Sequence, residues 1–166
     1  LSLRLDSYSD NRLRELHRLK NYRMLFKAKY SYTGKQVKPL IQVVWNGKIL
    51  RNNTDYTLLY KNNKKRGSAG IVVTGKGNYS GTLTASFTIV RASVKKASVT
   101  GLKAVYARTG KAVKPKVTVK LGGKKLKKKR DYILSYRKNK KKGTALLYVK
   151  GVGNYSGTKK MKFKIR

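Results

Sequence analysis

The chain of 166 residues contains no cysteine, so no disulfide, thiolate metal site or thiol nucleophile is open to it. Acidic residues are nearly as scarce. Asp6, Asp10, Glu15, Asp55 and Asp131 stand against 43 Lys+Arg, and His17 is the single histidine. General acid–base catalysis and metal binding draw on clustered carboxylates and imidazoles, and no base is set beside any of the serines to activate it. The composition points to a protein that is not an enzyme and holds no metal or cofactor. No apolar run reaches the roughly 18 residues of a membrane-spanning helix, and the opening residues lack the apolar core of a signal peptide. A chain that starts at Leu1 and not at Met is expected to be a fragment or a processed product.

What the chain has in excess is positive charge, +38 in all and unevenly placed. Residues 1–89 hold 17 basic and 4 acidic side chains, whereas residues 90–166 hold 26 basic and 1 acidic. Self-repulsion of this size costs stability and favours polyanionic partners, among them nucleic acid, teichoic acid, anionic glycans and acidic proteins. Charge alone does not choose among them.

The stretch Gly75-Lys76-Gly77-Asn78-Tyr79-Ser80-Gly81-Thr82 returns 76 residues later as Gly151-Val152-Gly153-Asn154-Tyr155-Ser156-Gly157-Thr158. At that offset, without gaps, 29 of the 58 residues from 32 to 89 are identical to those from 108 to 165. A period this long holds a whole small fold, so the chain reads as one module written twice. The expected organisation is a basic leader over residues 1–21, helical or disordered, a first module over 22–91 and a second over 92–166. In the leader, Asp10 suits a helix N-cap and Leu13 and Leu16 lie three apart.

From Tyr22 the period changes to two. Tyr22, Met24, Phe26, Ala28 and Tyr30 share one face of a half-buried strand. Val-Lys-Pro at 37–39 and 113–115 suits strand entry at a sheet edge, and Asn46-Gly47 and Gly122-Gly123 supply the positive φ of tight hairpins. Tyr56, Leu58 and Tyr60 alternate inward, as do Tyr132, Leu134 and Tyr136. The last strand alternates Met161, Phe163 and Ile165 inward with Lys160, Lys162 and Lys164 outward. Each module thus offers six or seven short antiparallel strands with turn signals every 8–12 residues, the pattern of a two-sheet β-sandwich. The segment joining the modules has neither Pro nor Gly, and a semi-rigid, end-to-end pair is expected.

The ordered set Tyr32-Thr33-Gly34-Lys35, Val37-Lys38-Pro39, Asn46-Gly47-Lys48, Asp55-Tyr56-Thr57, Tyr60, Asn63, Gly67, residues 75–82 and Phe87-Thr88-Ile89 resembles the bacterial immunoglobulin-like repeats that occur in tandem in secreted and cell-surface proteins of Gram-positive bacteria of the clostridial group. The resemblance covers residues 22–166. It implies an all-β chain of two tandem Ig-like antiparallel β-sandwich modules, an extracellular or cell-surface location, and a structural or adhesive role beside neighbouring repeats or domains of a longer parent chain. It carries over no catalytic residues.

The residues read as a polyanion-binding site are Lys124, Lys125, Lys127, Lys128, Lys129, Arg130, Arg137, Lys138, Lys140, Lys141 and Lys142, with Lys64, Lys65 and Arg66 in the first module. Lysine-rich loops suit phosphate or sulfate as point charges, and the two second-module clusters form one patch if they lie at the same end of the sandwich. The same charge also serves as a solubilising surface. Gly75, Gly77, Asn78, Tyr79 and Gly81, and likewise Gly151, Gly153, Asn154, Tyr155 and Gly157, read as a structural turn; as an anion loop the motif lacks the helix that follows in phosphate loops. Asp55 and Asp131 are equivalent positions suited to a carboxylate bond to backbone N–H. A Lys–Asn isopeptide crosslink through Asn78 or Asn154 is a further reading of the one acid per module. Beyond a structural or adhesive module that contacts anionic polymers, the sequence leaves open a dedicated polyanion or nucleic-acid binder, and a self-assembling filament or surface-layer subunit.

Overall fold

The computed structural model describes the backbone of residues 13–19 and the whole of residues 22–166. Those residues are all-β, with one single-turn 3₁₀ segment and no α-helix, and no helix among them is long and apolar enough to cross a membrane. The chain divides into two compact units, Leu1–Val90 and Arg91–Arg166.

The first unit contains β1 (Leu13–Leu19), β2 (Tyr22–Lys27), β3 (Lys29–Ser31), β4 (Gln42–Trp45), β5 (Lys48–Leu50), β6 (Tyr56–Lys61), β7 (Gly67–Gly75) and β8 (Thr82–Val90). They form two four-stranded sheets, β1-β2-β4-β5 and β3-β8-β7-β6. Met24, Phe26, Val43 and Leu50 from one sheet meet Tyr56, Ile71, Val73, Phe87 and Ile89 from the other in a single buried cluster. The sheets are therefore two layers over one core, consistent with a β-sandwich. The Tyr30 ring meets Phe87 edge-on at 5.4 Å within it.

Two features differ from the sequence reading. Leu13–Leu19 is not a helix: it is β1, antiparallel to β2, with a register shift between Leu16 and Leu19. Leucines three apart imitate a helical stripe, but the outer edge of β2 offers unpaired backbone groups, and pairing across that edge outweighs local propensity. A bulge of one residue also resets the strand period, which hides it from a search for strict alternation. Secondly, the opening strand is not one strand, and pairing is not antiparallel throughout. The chain bends at Ala28, leaving β2 against β4 in one sheet and placing β3 against β8 in the other. Because it crosses between sheets without reversing, it pairs antiparallel in the first and parallel in the second.

The second unit contains β9 (Ala92–Ser93), the 3₁₀ turn Val94–Lys96, β10 (Ser98–Thr100), β11 (Val105–Tyr106), β12 (Thr118–Leu121), β13 (Lys124–Lys125), β14 (Tyr132–Arg137), β15 (Gly143–Gly151), β16 (Tyr155–Ser156) and β17 (Thr158–Ile165). Its sheets are β10-β12-β13 and β11-β17-β15-β14, with a separate ladder between β16 and β9. Strands β12, β14 and β15 fall at a 76-residue offset from β4, β6 and β7 with the same bounds. The parallel pairing of β11 with β17 repeats that of β3 with β8. The segment entering this unit is part of its fold: Ala92, Val94 and Ala97 are all buried.

Polar groups at equivalent positions hold both frames in register. Asn63 and Val37 exchange two bonds, the Val37 amide donating to the Asn63 carbonyl (2.8 Å) and Asn63 Nδ2 to the Val37 carbonyl (3.0 Å). Asn139 and Val113 repeat this at 2.7 and 2.8 Å. Tyr60 and Tyr136 donate their hydroxyls to the carbonyls of Pro39 and Pro115 at 2.6 and 2.7 Å. These bonds let an apolar ring body fill the core while its polar tip is satisfied.

Candidate polyanion-binding surface

The lysines just before β14 and those just after it do not make one patch. Lys127, Lys128, Lys129 and Arg130 precede β14, and Lys138, Lys140, Lys141 and Lys142 follow it. A six-residue strand is about 20 Å long, so the two groups stand at opposite ends of the sandwich, each exposed. The first group shares its end with the Gly151-to-Thr158 turn, through the bond from the Val152 amide to the Asp131 carbonyl at 3.0 Å. The second group shares its end with the loop carrying Val113, through Asn139. Lys124 and Lys125 lie in the short strand β13 after the Gly122-Gly123 hairpin. In the first unit Lys64, Lys65 and Arg66 occupy the loop between β6 and β7.

The structure brings together a different basic group. On the outward face of sheet β11-β17-β15-β14, Lys160 pairs with Tyr148, Lys162 with Leu146, and Lys164 with Thr144 across the β15–β17 ladder. Lys150 pairs with Ile133, and Arg137 with Leu146, across β14–β15. Alternate residues of a strand are about 6.8 Å apart on one face, so Lys160, Lys162 and Lys164 form a cationic row beside the half-buried Leu146 and Tyr148. The Arg137 guanidinium sits 5.9 Å from the centroid of the Tyr148 ring, a cation–π distance that holds both at the surface.

Equivalent positions in the first unit carry no such row. Thr84, Ser86 and Thr88 replace the three lysines, Thr74 replaces Lys150, Gly70 replaces Leu146 and Val72 replaces Tyr148. One backbone thus presents a hydroxyl-rich face in one unit and a lysine face in the other. The outward lysines of β17 are visible in the sequence by alternation. Their grouping with Lys150, Arg137 and Tyr148 is not, because it depends on cross-strand register.

Nothing within the second unit neutralises this face. Its one acid, Asp131, is buried and already engaged. Asp131 Oδ2 accepts the Lys127 amide at 2.8 Å, and Arg130 donates Nε to Oδ1 at 3.0 Å and Nη2 to Oδ2 at 2.9 Å. The Arg130 bonds, aided by the Lys127 amide, hold its carboxyl below the ordinary aspartate range against the opposing effect of burial. Asp55 in the first unit likewise accepts the Arg51 amide at 2.7 Å. Both acids therefore act as turn anchors, each closing the loop that leads into β6 or β14.

The tyrosines of the inward face take no part in the surface. Tyr132 is buried, Tyr136 is tied to Pro115, and burial raises both phenols above their ordinary value. Among the described residues no three His, Asp or Glu side chains lie together as metal ligands. Gly75 and Gly151 earn their place in the repeated motif by close approach: a Cβ on Gly75 would lie 2.7 Å from the Tyr79 carbonyl oxygen, and one on Gly151 would lie 2.7 Å from the Ser156 nitrogen. Gly77, Gly81, Gly153 and Gly157 all have positive φ, and Tyr155 is buried behind the turn. Asn78 is exposed on this turn, without the burial that an isopeptide bond requires. Comparison with protein-family models, curated proteins and solved structures returned no match to this chain.

Proposed function

We propose that the chain is a non-enzymatic structural and adhesive segment of a bacterial surface or secreted protein, built of two Ig-like modules, whose second module contacts anionic polymers through its outward lysine face. The observation that carries the reading is the swap at equivalent register positions, Thr84, Ser86, Thr88 and Thr74 in one unit for Lys160, Lys162, Lys164 and Lys150 in the other. A solubilising role asks only for dispersed charge. This face concentrates like charges in one row at a cost in self-repulsion, which an external polyanion offsets by releasing its counterions. The repeated frame of Asn clamps, Tyr–carbonyl bonds and Asp-anchored turns supports the structural half of the reading, and the sequence resemblance supports the Ig-like, surface-exposed half.

A second reading, a dedicated nucleic-acid binder, is favoured by Tyr148 within the lysine face, since a partly exposed aromatic ring beside cations offers a base a stacking partner. Titration of the intact chain with a polyol-phosphate polymer, a sulfated glycan and single-stranded DNA, at about 50 and 200 mM salt, separates the readings. Comparable affinity for all three at matched charge, with a steep negative salt slope, supports the general polymer contact. A DNA affinity tenfold or more above the others assigns the nucleic-acid role, and no binding at the lower salt refutes both.

A further inference from the structure

The second unit departs from the first on its other outer face as well. In sheet β10-β12-β13, Val119 is fully buried, so the next residue along the strand, Lys120, points outward. Lys120 pairs with Ser98 on one side and with Lys125 on the other. Directly opposite residues have Cβ atoms about 4.5–5.5 Å apart, and like charges so placed repel. Leu126 is buried at 3% exposure and donates its amide to the Val119 carbonyl at 2.9 Å. That bond carries the extended chain past β13 and sets the exposed Lys127 on the same side as Lys125.

The positions of Lys120 and Lys125 hold Val44 and Ile49 in the first unit, paired across β4 and β5. An apolar pair of this kind stabilises a hairpin, and the second unit has in its place a pair that opposes it. Within that unit no carboxylate is left to offset the repulsion, since Asp131, its only acid, is held by Arg130. The two cationic faces are opposite sides of one sandwich. Val119 and Leu126 from one sheet and Leu147, Phe163 and Ile165 from the other are all buried within one compact unit. They are the equivalents of Val43, Leu50, Ile71, Phe87 and Ile89, which share the single core of the first unit. Stacked sheets lie about 10 Å apart, and lysine stems extending away on both sides set the ammonium groups of the two faces farther apart than the Debye length, about 10 Å at 0.1 M salt. A polyanion on one face is therefore screened from a polyanion on the other.

We propose that the second unit is a bridging module that holds two strands of an anionic polymer at once, one along Lys160, Lys162 and Lys164 and the other across Lys120, Lys125 and Lys127. The occupant of the second face is a further strand of the polymer that the first face takes, identified by charge complementarity, because lysines meet its anionic groups as point charges. The inference rests on the polymer reading above and adds a consequence to it. A module with one cationic face only holds on to a polymer, whereas one with two opposite faces ties polymers together. The second face has fewer cations, so it binds the more weakly and fills after the first.

The test loads the intact chain onto bead-bound single-stranded DNA at about 0.1 M salt, washes away free protein, and measures capture of a second, fluorescently labelled strand. The parent should capture it saturably. Lys120→Thr with Lys125→Thr removes two contacts worth about 0.7 each in salt slope, which weakens the second face about 25-fold at this salt. That variant should capture at least about fivefold less, yet bind free strands within about threefold of the parent, because distant sites act independently. It should also melt no lower than the parent, since threonine suits a strand and a repelling pair is gone. Lys160→Thr, Lys162→Ser and Lys164→Thr together should likewise lose capture, whereas Lys138→Thr, Lys140→Thr and Lys141→Thr together should keep it within about twofold. Undiminished capture by the Lys120→Thr, Lys125→Thr variant, or no capture by a parent that binds free strands, overturns the bridge and leaves the polymer reading standing. A parent that binds no free strand removes that reading, and the bridge with it.

Discussion

Replacing Lys160, Lys162 and Lys164 by the residues that the first unit carries at the same register positions, Thr, Ser and Thr, removes three charges without disturbing the inward face of β17. The inward Phe163 and Ile165 are untouched, and the first unit shows that this backbone accepts hydroxyl side chains there. For single-stranded DNA each phosphate contact contributes about 0.7 to the slope of log affinity against log salt. Losing three should flatten the slope by about 2 and, at about 0.1 M salt, weaken binding roughly 100-fold. The control removes the same charge from the loop after β14, as Lys138→Thr, Lys140→Thr and Lys141→Thr, and should flatten the slope by less than about 1. Neighbouring lysines about 6.8 Å apart repel by at most about 0.6 kcal/mol in water before screening, so the face variant should also melt a few degrees higher at low salt. Fluorescence anisotropy with a labelled oligonucleotide, run beside circular-dichroism melts, measures both quantities. An unchanged slope in the face variant, or an equal loss in the loop variant, refutes the assignment of binding to the sheet face.

Three further outcomes follow from the frame. Asp131→Asn should destabilise the second unit by about 1 kcal/mol at neutral pH, because the amide keeps one oxygen for the Lys127 N–H but loses the charge and one of the two bonds from Arg130, which is 58% exposed and screened. Its folded value lies below the ordinary 3.8, so the stability it supplies is present above that value and lost as pH falls through the lower folded one; the gap between variant and parent melts should close in that acid range. Gly151→Ala drives a Cβ into backbone atoms at 2.7 to 2.9 Å and should cost more than about 3 kcal/mol, whereas Gly123→Ala, with open space at φ +76, should cost about 1–2 kcal/mol; chemical denaturation ranks the two. Asn139→Ala removes the Nδ2 bond to Val113 and should cost about 1–2 kcal/mol, with faster hydrogen exchange at the Val113 amide than in the parent.

Much of the frame was legible because it is written in short-range patterns. Alternation put Met24, Phe26 and Tyr56 on inward faces of one unit and Tyr132, Phe163 and Ile165 on those of the other, and all are buried. Turn chemistry located the hairpins, with Asn46 and Gly47 at φ 45 and 79 and Gly122 and Gly123 at φ 55 and 76. What was not legible depends on pairing between distant segments. Leu13, Leu16 and Leu19 imitate a helix, and only the open edge of β2 makes them a strand. The crossover at Ala28 interrupts an alternation that continues undisturbed through Tyr30, so the break leaves no local trace. The loop lysines draw attention as a run of like residues, yet a run along the chain can be divided in space by one intervening strand, as β14 divides this one.

The same distinction bears on how charge and packing are shared between the units. The first unit keeps hydroxyls on its outer sheet face and lines a cavity beside its repeated turn with Tyr22, Tyr56 and Tyr79. The second places lysines on that face and buries Val94 completely. Burying a valine contributes about 1.5–3 kcal/mol, comparable to the repulsion that a row of lysines adds before salt screens it. A sandwich whose single acid is already engaged by Arg130 has no further carboxylate with which to relieve that strain, so its compensation comes from apolar burial and from anions outside the fold. On this view the more cationic unit relies on the buried Ala92, Val94 and Ala97 to offset the repulsion of its own outer face.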